Sequence, residues 1–182
     1  TSIICNELCK DKRYHVTAMS FFDNGKPFLY ELDSSLEKPF LFDSPINMKK
    51  AFLLGGTKKL KHFLIQHKMD VLVACGALYF PISVAACKGI KTKCVTWEHT
   101  DVNTFKDYSF QRFSRWIGAK KSDLSVVLTK QAMSDYREKY YVKQCVQIYN
   151  PIDEVLMKGH DYNPHSQKII SVGRLSYPKN FE

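Results

Sequence analysis

Three segments of the sequence place chemically active side chains directly after short apolar runs. The first is 97–101 (WEHTD), in which His99 stands between Glu98 and Asp101. A histidine beside carboxylates can move a proton or bind a ligand. A histidine in this place can also cap the next helix or satisfy a loop carbonyl, and the spacing alone favours that structural role. A Ser–His–Asp hydrolase is disfavoured because no Gly-x-Ser-x-Gly turn is present.

The second segment is 149–153 (YNPID), which follows an apolar run. Asn-Pro after a strand forms a turn, and the side chain of Asn150 can bond its own backbone. The local sequence therefore leaves open whether Asn150 is a structural turn residue or part of a site.

The third segment is 171–180 (SVGRLSYPKN), in which a strand pattern ends in Gly173. Glycine lets an anion approach the backbone, Arg174 offers a planar fork for phosphate, and Lys179 adds a point charge. A helix starting near Pro178 would add the positive end of its dipole. The pattern indicates a diphosphate site, with a solvated basic loop as the alternative. It is neither a Walker loop nor a glycine-rich dinucleotide motif.

Strand and helix patterns alternate along the chain, which predicts a parallel α/β sheet. The carboxyl ends of parallel strands meet at one edge of such a sheet, so these segments should converge there. Thr129 is placed to cap the helix that follows the apolar run at 124–128. The predicted strands cover 15–22, 70–75, 93–97, 124–128, 144–149 and 168–172, and the predicted helices cover 1–11, 46–67, 81–88, 103–118 and 130–140.

Four local expectations accompany this outline. Residues 27–32 should pair back on the first strand as a hairpin arm after the turn at 23–26, and 33–45 should form a loop. Gly55 and Gly56 should split the helix at 46–67. The predicted strand 70–75 is apolar at every position after Asp70, which is typical of a strand buried on both faces. The predicted helix 103–118 is amphipathic, and its aromatic residues have the spacing of core residues in a helix. These aromatic residues are Phe105, Tyr108, Phe113 and Trp116.

Composition narrows the class of protein. The 182 residues are 45% hydrophobic and 25% charged, which excludes disordered and fibrous chains. Lys and Arg number 27 against 18 Asp and Glu, so the net charge is +9 and an anionic partner is expected. Six cysteines without zinc spacing favour free thiols in a cytoplasmic protein and no structural metal. No apolar run is long enough to span a membrane.

Residues 45–68 form the most basic stretch and contain no Asp or Glu. Apolar residues lie between the lysines, a pattern typical of an amphipathic helix that binds anionic lipid. The alternative is an ordinary solvated helix face above a core stripe. The lysines that would face an anionic membrane surface are Lys49, Lys50, Lys58, Lys59 and Lys61.

In order and spacing, these motifs resemble the family-four glycosyltransferases of GT-B type, which build bacterial polysaccharide and lipopolysaccharide. The resemblance covers residues 1–182 and depends on five segments together: 70–73 (DVLV), 98–99 (EH), 128–130 (LTK), 148–153 (IYNPID) and 172–175 (VGRL) with Lys179.

The resemblance implies a Rossmann-like, mostly parallel sheet flanked by helices, which is the N-terminal half of a GT-B fold without its first strand. Residues 1–165 would form the acceptor-side domain, and 166–182 would begin the donor-binding domain. Loss of the first strand should leave an exposed apolar seam in the sheet.

The resemblance also implies a reaction. The enzyme would move a sugar from a nucleotide-diphosphate sugar to a glycan or lipid-linked acceptor, with retention and without a metal or other cofactor. His99, with Glu98 beside it, would be catalytic; Gly173, Arg174 and Lys179 would hold the donor diphosphate; Asn150 and Thr129 would line the cleft. The protein would be cytoplasmic and peripheral on the inner face of the membrane. The 182 residues alone should be inactive.

Two other functions compete with this one. The first is a basic nucleic-acid-binding module with aromatic platforms at Phe110, Trp116, Tyr140 and Tyr141. The core-like spacing of the aromatic residues, and the lack of an RRM or zinc-knuckle pattern, disfavour it, and we expect no nucleic-acid partner. The second is a GT-B enzyme that is not a transferase, such as an epimerase or a phosphorylase.

Overall fold

The computed structural model describes residues 1–28, 30–101, 103, 109–152 and 163–167. Within them a four-stranded parallel sheet has the order β3-β4-β5-β6. The predicted α/β fold with a Rossmann-like parallel sheet is confirmed. The strands of this sheet are β3 (Val71–Cys75), β4 (Lys93–Trp97), β5 (Leu124–Val127) and β6 (Cys145–Gln147).

Among the described residues, one α-helix lies between each pair of neighbouring strands in this sheet, and a short 3₁₀ helix (Ala77–Tyr79) also lies between β3 and β4. Because neighbours in the sheet are also neighbours in the chain, right-handed crossovers place these helices on one face. Contacts between α3 and α4, α4 and α5, and α5 and α6 confirm a single helical layer. The helices of the layer are α3 (Gly56–Gln66), α4 (Phe80–Cys87), α5 (Ser109–Lys121) and α6 (Lys130–Tyr140).

The first part of the chain contains α1 (Ser2–Lys10), β1 (Ser20–Phe22), β2 (Phe40–Phe42) and α2 (Met48–Leu53). Strands β1 and β2 pair in parallel, with Ser20 opposite Phe40. The predicted hairpin at 27–32 and the predicted loop at 33–45 are therefore wrong. The side chains of Asp23 and Asn24 do accept backbone hydrogen bonds within a turn. However, β1 pairs with β2, an apolar strand in which Leu41 and Phe42 are buried.

The helix predicted over 46–67 is divided where the sequence suggested. Gly55 has a positive φ of 75°, a conformation that glycine adopts without steric cost, and α3 begins at the next residue. Asn47 accepts a hydrogen bond from the Lys50 N–H and so caps α2.

The main core lies between the helical layer and the strands. It joins side chains of β2, α2, α3, α4 and β4, among them Phe42, Leu60, Ile82 and Cys94. All six cysteines are free thiols, as predicted. Among the described residues, no helix is long and apolar enough to cross a membrane.

Strand β3 lies at an edge of the four-stranded sheet. Leu72 packs against the core, whereas Val71 and Val73 are 51% and 46% exposed. The prediction that 70–75 is buried on both faces is therefore wrong, because only one face of β3 meets the helical layer. Val71 and Val73 form an exposed apolar patch on the other face of β3, and the seam that the resemblance implied stays a prediction.

Helix α5 buries a different face from the one that the sequence predicts. Its buried side chains are Ser114, Arg115 and Ala119, while Phe113 and Trp116 are exposed; Phe105 and Tyr108 lie outside the described residues. Gly118 allows α5 to pack closely against α4, since a Cβ at this position would come within 2.7 Å of the Phe80 ring. Small residues thus face the sheet, and the aromatic residues face solvent.

The chain divides into a compact unit at Thr1–Pro151 and a second unit at Ile152–Glu182. In the second unit, the Asn163 side chain accepts a hydrogen bond from the His165 N–H and forms a turn. The boundary expected between residues 165 and 166 stays a prediction.

Candidate functional site

The first candidate segment and residues 149–152 of the second lie within the described residues and converge at the carboxyl edge of the sheet. His99 follows β4, and Asn150 follows β6. The backbone pairing continues past both strands, because Glu98 N–H donates to Val126 O at 2.9 Å and Ile148 N–H donates to Val127 O at 2.9 Å. The third segment, with Gly173, Arg174 and Lys179, lies outside the described residues.

Glu98 is buried at the end of β4, with only 3% of its surface exposed. Arg115 Nε donates to Glu98 Oε2 at 2.8 Å, and the Tyr136 hydroxyl donates to the same oxygen at 3.2 Å. The other oxygen, Oε1, accepts from the Thr100 N–H at 3.0 Å. The Glu98 carboxylate therefore joins strand β4, helix α5 and helix α6 at one point, and closes the turn that contains His99.

The partners of Glu98 are as well buried as the carboxylate. Arg115 is 4% exposed and Tyr136 is 1% exposed. Burial raises the pKa of the Tyr136 phenol well above its ordinary value, and the nearby Glu98 raises it further. The hydroxyl consequently stays protonated and donates to the carboxylate. We call Glu98, Arg115 and Tyr136 the buried triad.

In contrast to the buried Glu98, His99 is exposed at the sheet edge. Its ring stacks on Trp97 with centroids 5.4 Å apart and an interplanar angle of 20°. Partial burial lowers the pKa of the imidazole from its ordinary value, and this outweighs the nearby Glu98 carboxylate and Asn150 side chain, which both raise it. His99 is therefore neutral at pH 7 and can accept a hydrogen bond.

The Asn150 side chain lies near enough to His99 to influence its pKa. The structure thus gives Asn150 a side-chain partner on another strand end, which the turn motif alone did not indicate. Thr129 has a separate, structural role, because its Oγ1 accepts from the Ala132 N–H at 3.0 Å and caps α6, as the sequence predicted.

Sequence reasoning did not identify Arg115 or Tyr136. Arg115 lies among aromatic and basic residues of a helix whose composition is typical of a solvated one, so the sequence analysis did not predict its burial. A signal does exist in the pattern of small residues: Ser114, Gly118 and Ala119 indicate the inward face of α5, and Arg115 lies within it.

The basic stretch exposes apolar and basic side chains along α2 and at the start of α3. Leu53 is 85% exposed and Leu54 is 63% exposed, and Phe52 beside them is 40% exposed. Around them, Lys49, Lys50 and Lys58 are exposed. We call these six residues the basic tip.

Two of the predicted lysines are engaged within the fold. Lys59 Nζ lies 4.8 Å from the centroid of the Phe42 ring, and Lys61 Nζ donates to Lys88 O at 2.6 Å. Their ammonium groups stabilise the packing of α3, so the outward charge of this region is carried by the basic tip.

Comparison with known proteins identifies a family. Residues 4–155 match the model of Glycosyltransferase Family 4. An uncharacterized glycosyltransferase of Haemophilus influenzae is 25% identical over 126 residues, which are 69% of this chain and 35% of that protein. The chain thus spans about a third of the length of this relative. The match favours the transferase expectation over the nucleic-acid-binding and epimerase-like alternatives.

The buried triad can be tested by exchanging its ion pair for apolar side chains. Arg115→Met alone leaves an uncompensated buried carboxylate, and we expect a loss of about 3–5 kcal/mol in the free energy of unfolding. Glu98→Leu alone should cost a similar amount. The double variant should be much more stable than either single variant, because no buried charge is left without a partner.

Urea unfolding of the wild type, both single variants and the double variant measures this coupling. Arg137→Met replaces an exposed arginine of the neighbouring helix α6, so it is the matched control and should change stability little. Losses that simply add in the double variant would contradict the assignment of a buried pair.

Proposed function

Because the chain belongs to glycosyltransferase family 4, we propose that it forms the acceptor side of an enzyme that moves a sugar from a nucleotide-diphosphate sugar to a glycan or lipid-linked acceptor, with retention. The observation that carries this proposal is His99, which is neutral and exposed at the carboxyl edge of a parallel sheet. Ligands bind at this edge in open α/β folds.

In this proposal His99 binds a hydroxyl of the reacting sugar. A neutral imidazole can accept a hydrogen bond from that hydroxyl, and the stacked Trp97 and the bonded Asn150 keep the ring in place. Orientation of this kind lowers the barrier to transfer because the reacting groups are aligned before reaction. Glu98 acts by positioning, since all its bonds are made to the interior of the fold.

The donor diphosphate would be neutralised by Arg174 and Lys179, with Gly173 allowing close approach of the phosphates. Cationic side chains can stabilise the charge that develops on a departing diphosphate, so the proposed reaction needs no metal or other cofactor. On this proposal the 182 residues alone do not catalyse transfer, and activity is assayed in the whole protein that contains them.

The test of this function is a rate measurement on that whole protein. With a panel of nucleotide-diphosphate sugars, His99→Ala should lower kcat about a hundredfold, with a smaller change in KM for the donor. His15→Ala, which changes an exposed histidine in the segment after α1, is the matched control and should retain full activity.

The pH dependence gives a second readout. Because the pKa of His99 is lowered, the wild-type rate should fall only when the pH drops below about 6.5, as the imidazole gains a proton. His99→Gln should lack this acid limb. Retention of more than half the rate by His99→Ala, with an unchanged pH profile, would refute the role of His99.

We further propose that the basic tip faces an anionic membrane surface, where a lipid-linked acceptor is held. The support is the combination of three exposed apolar side chains with three exposed lysines. Apolar residues can enter the interface while lysines contact anionic headgroups, each contributing about 1 kcal/mol.

Charge reversal at the basic tip tests this surface. Lys49→Glu with Lys50→Glu should weaken sedimentation with phosphatidylglycerol-containing vesicles at least tenfold, because about 1 kcal/mol per lysine is removed and repulsion is added. Lys12→Glu with Lys26→Glu makes the same change in net charge at exposed sites elsewhere and is the control. Equal loss in both variants would show a nonspecific charge effect and contradict the proposal.

A further inference from the structure

A cavity of about 320 Å³ lies beside the β1–β2 pair, under the turn that follows β1. Its lining comes from both strands and from that turn, and includes Ser20, Asn24, Lys26, Phe28 and Phe40. Ser20 and Phe40 are opposite each other in the strand register, so their side chains point to the same face of the pair. The volume is at the small end of the range for small-molecule sites. We call this cavity the β1 pocket.

Two aromatic rings form a flat apolar wall of the β1 pocket. The rings of Phe28 and Phe40 are nearly parallel, with centroids 6.1 Å apart and an interplanar angle of 8°, and both side chains are partly open to solvent. Two rings that hold a nucleobase between them stand about 6.8 Å apart, which is twice the stacking distance of about 3.4 Å. Because Phe28 and Phe40 are closer than that, a base does not fit between them, and a ligand meets the wall from one side.

The polar groups of the β1 pocket are mainly hydrogen-bond donors. Asn24 Oδ1 accepts from the Lys26 N–H at 2.9 Å, so the side-chain nitrogen of Asn24 is the group left to donate. The ammonium of the exposed Lys26 adds positive charge and further donors. Within the described part of the chain no Asp or Glu lines the pocket, and the neighbouring Asp23 accepts from the Gly25 N–H at 2.8 Å. A ligand with a carboxylate therefore matches this lining.

An acidic sugar has both of the complementary parts. One face of a sugar ring presents mainly C–H groups, which pack on an aromatic wall, while its hydroxyl groups bond to a small number of polar side chains. A carboxylate on the same ring can accept charge-assisted hydrogen bonds from an ammonium group. The wall formed by Phe28 and Phe40 and the donors at Asn24 and Lys26 supply these two kinds of contact.

The β1 pocket lies near the carboxyl edge of the four-stranded sheet. The ring of Phe21, in β1, lies 5.1 Å from the ring of Tyr79, in the 3₁₀ helix that follows β3. Strand β1 therefore approaches the segment after β3, while His99 follows the adjacent strand β4. A glycan of several sugars can extend from this edge toward the pocket.

We infer that the β1 pocket binds an acidic sugar of the glycan acceptor. The inference deepens the proposed function and rests on it for the class of acceptor. The binding step itself needs neither a donor sugar nor His99, so it is measured separately from transfer.

An NMR titration of the 182-residue chain with glucuronate and with glucose tests the pocket. The two sugars differ in carrying a carboxylate or a hydroxymethyl group on the same ring. Glucuronate should shift the ring protons of Phe28 and Phe40 and the side-chain amide of Asn24. It should bind about fivefold more tightly than glucose, since only glucuronate pairs with the exposed Lys26.

Substitutions separate the two kinds of contact. Phe28→Ala should weaken the binding of both sugars about fivefold, because part of the apolar wall is lost, and Phe28→Tyr should restore it. Lys26→Gln should remove the preference for glucuronate, and Lys26→Arg should keep it. Lys12→Gln removes the same charge at another exposed position and should bind as the wild type does. Unchanged amide shifts elsewhere in the spectrum show that each variant is folded.

Three outcomes would overturn the inference. One is a titration in which glucuronate shifts none of the pocket residues. Another is equal affinity for glucose and glucuronate in the wild type. The last is a nucleoside that shifts the same residues and binds more tightly than glucuronate. Failure of the proposed function looks different, because the whole protein would then transfer no sugar from any nucleotide-diphosphate donor while glucuronate still bound the chain.

Discussion

The buried ion pair between Glu98 and Arg115 is the contact on which the site depends. Two charged groups removed from water destabilise a fold unless both are paired and hydrogen-bonded. Here the Glu98 carboxylate accepts from Arg115, Tyr136 and the Thr100 backbone. These donors come from α5, from α6 and from the turn after β4, so the pair holds the helical layer against the strand end that carries His99.

This arrangement separates two neighbouring residues by function. Side chains alternate along an extended strand, so when Glu98 points into the interior, His99 points out toward the sheet edge. There the imidazole stacks on Trp97 and lies beside Asn150, and its partial burial disfavours protonation. In the proposed site the reactive group lies on the surface and the positioning groups lie below it, where packing restricts their rotamers.

Much of the architecture was predictable from local pattern, and the failures have definite causes. The apolar runs of β3 to β6, the Thr129 cap and the break at Gly55 depend on nearby residues and were predicted. Pairing of β1 with β2 depends on residues twenty apart, so the local turn signal was misleading. Helical periodicity showed that Phe113 and Trp116 share a face of α5, but it did not show which face is buried. The buried face is the one on which Gly118 packs against Phe80 and Arg115 pairs with Glu98.

We expect the buried triad to place His99, so its removal should change the surroundings of the imidazole. The most direct measurement is the proton chemical shift of the His99 ring by NMR, compared between the wild type and the variant carrying both Glu98→Leu and Arg115→Met. Stacking on Trp97 should shift these protons upfield in the wild type, and the shift should be lost in the folded double variant. An unchanged upfield shift in that variant would contradict the account, because His99 would then keep its place without the triad.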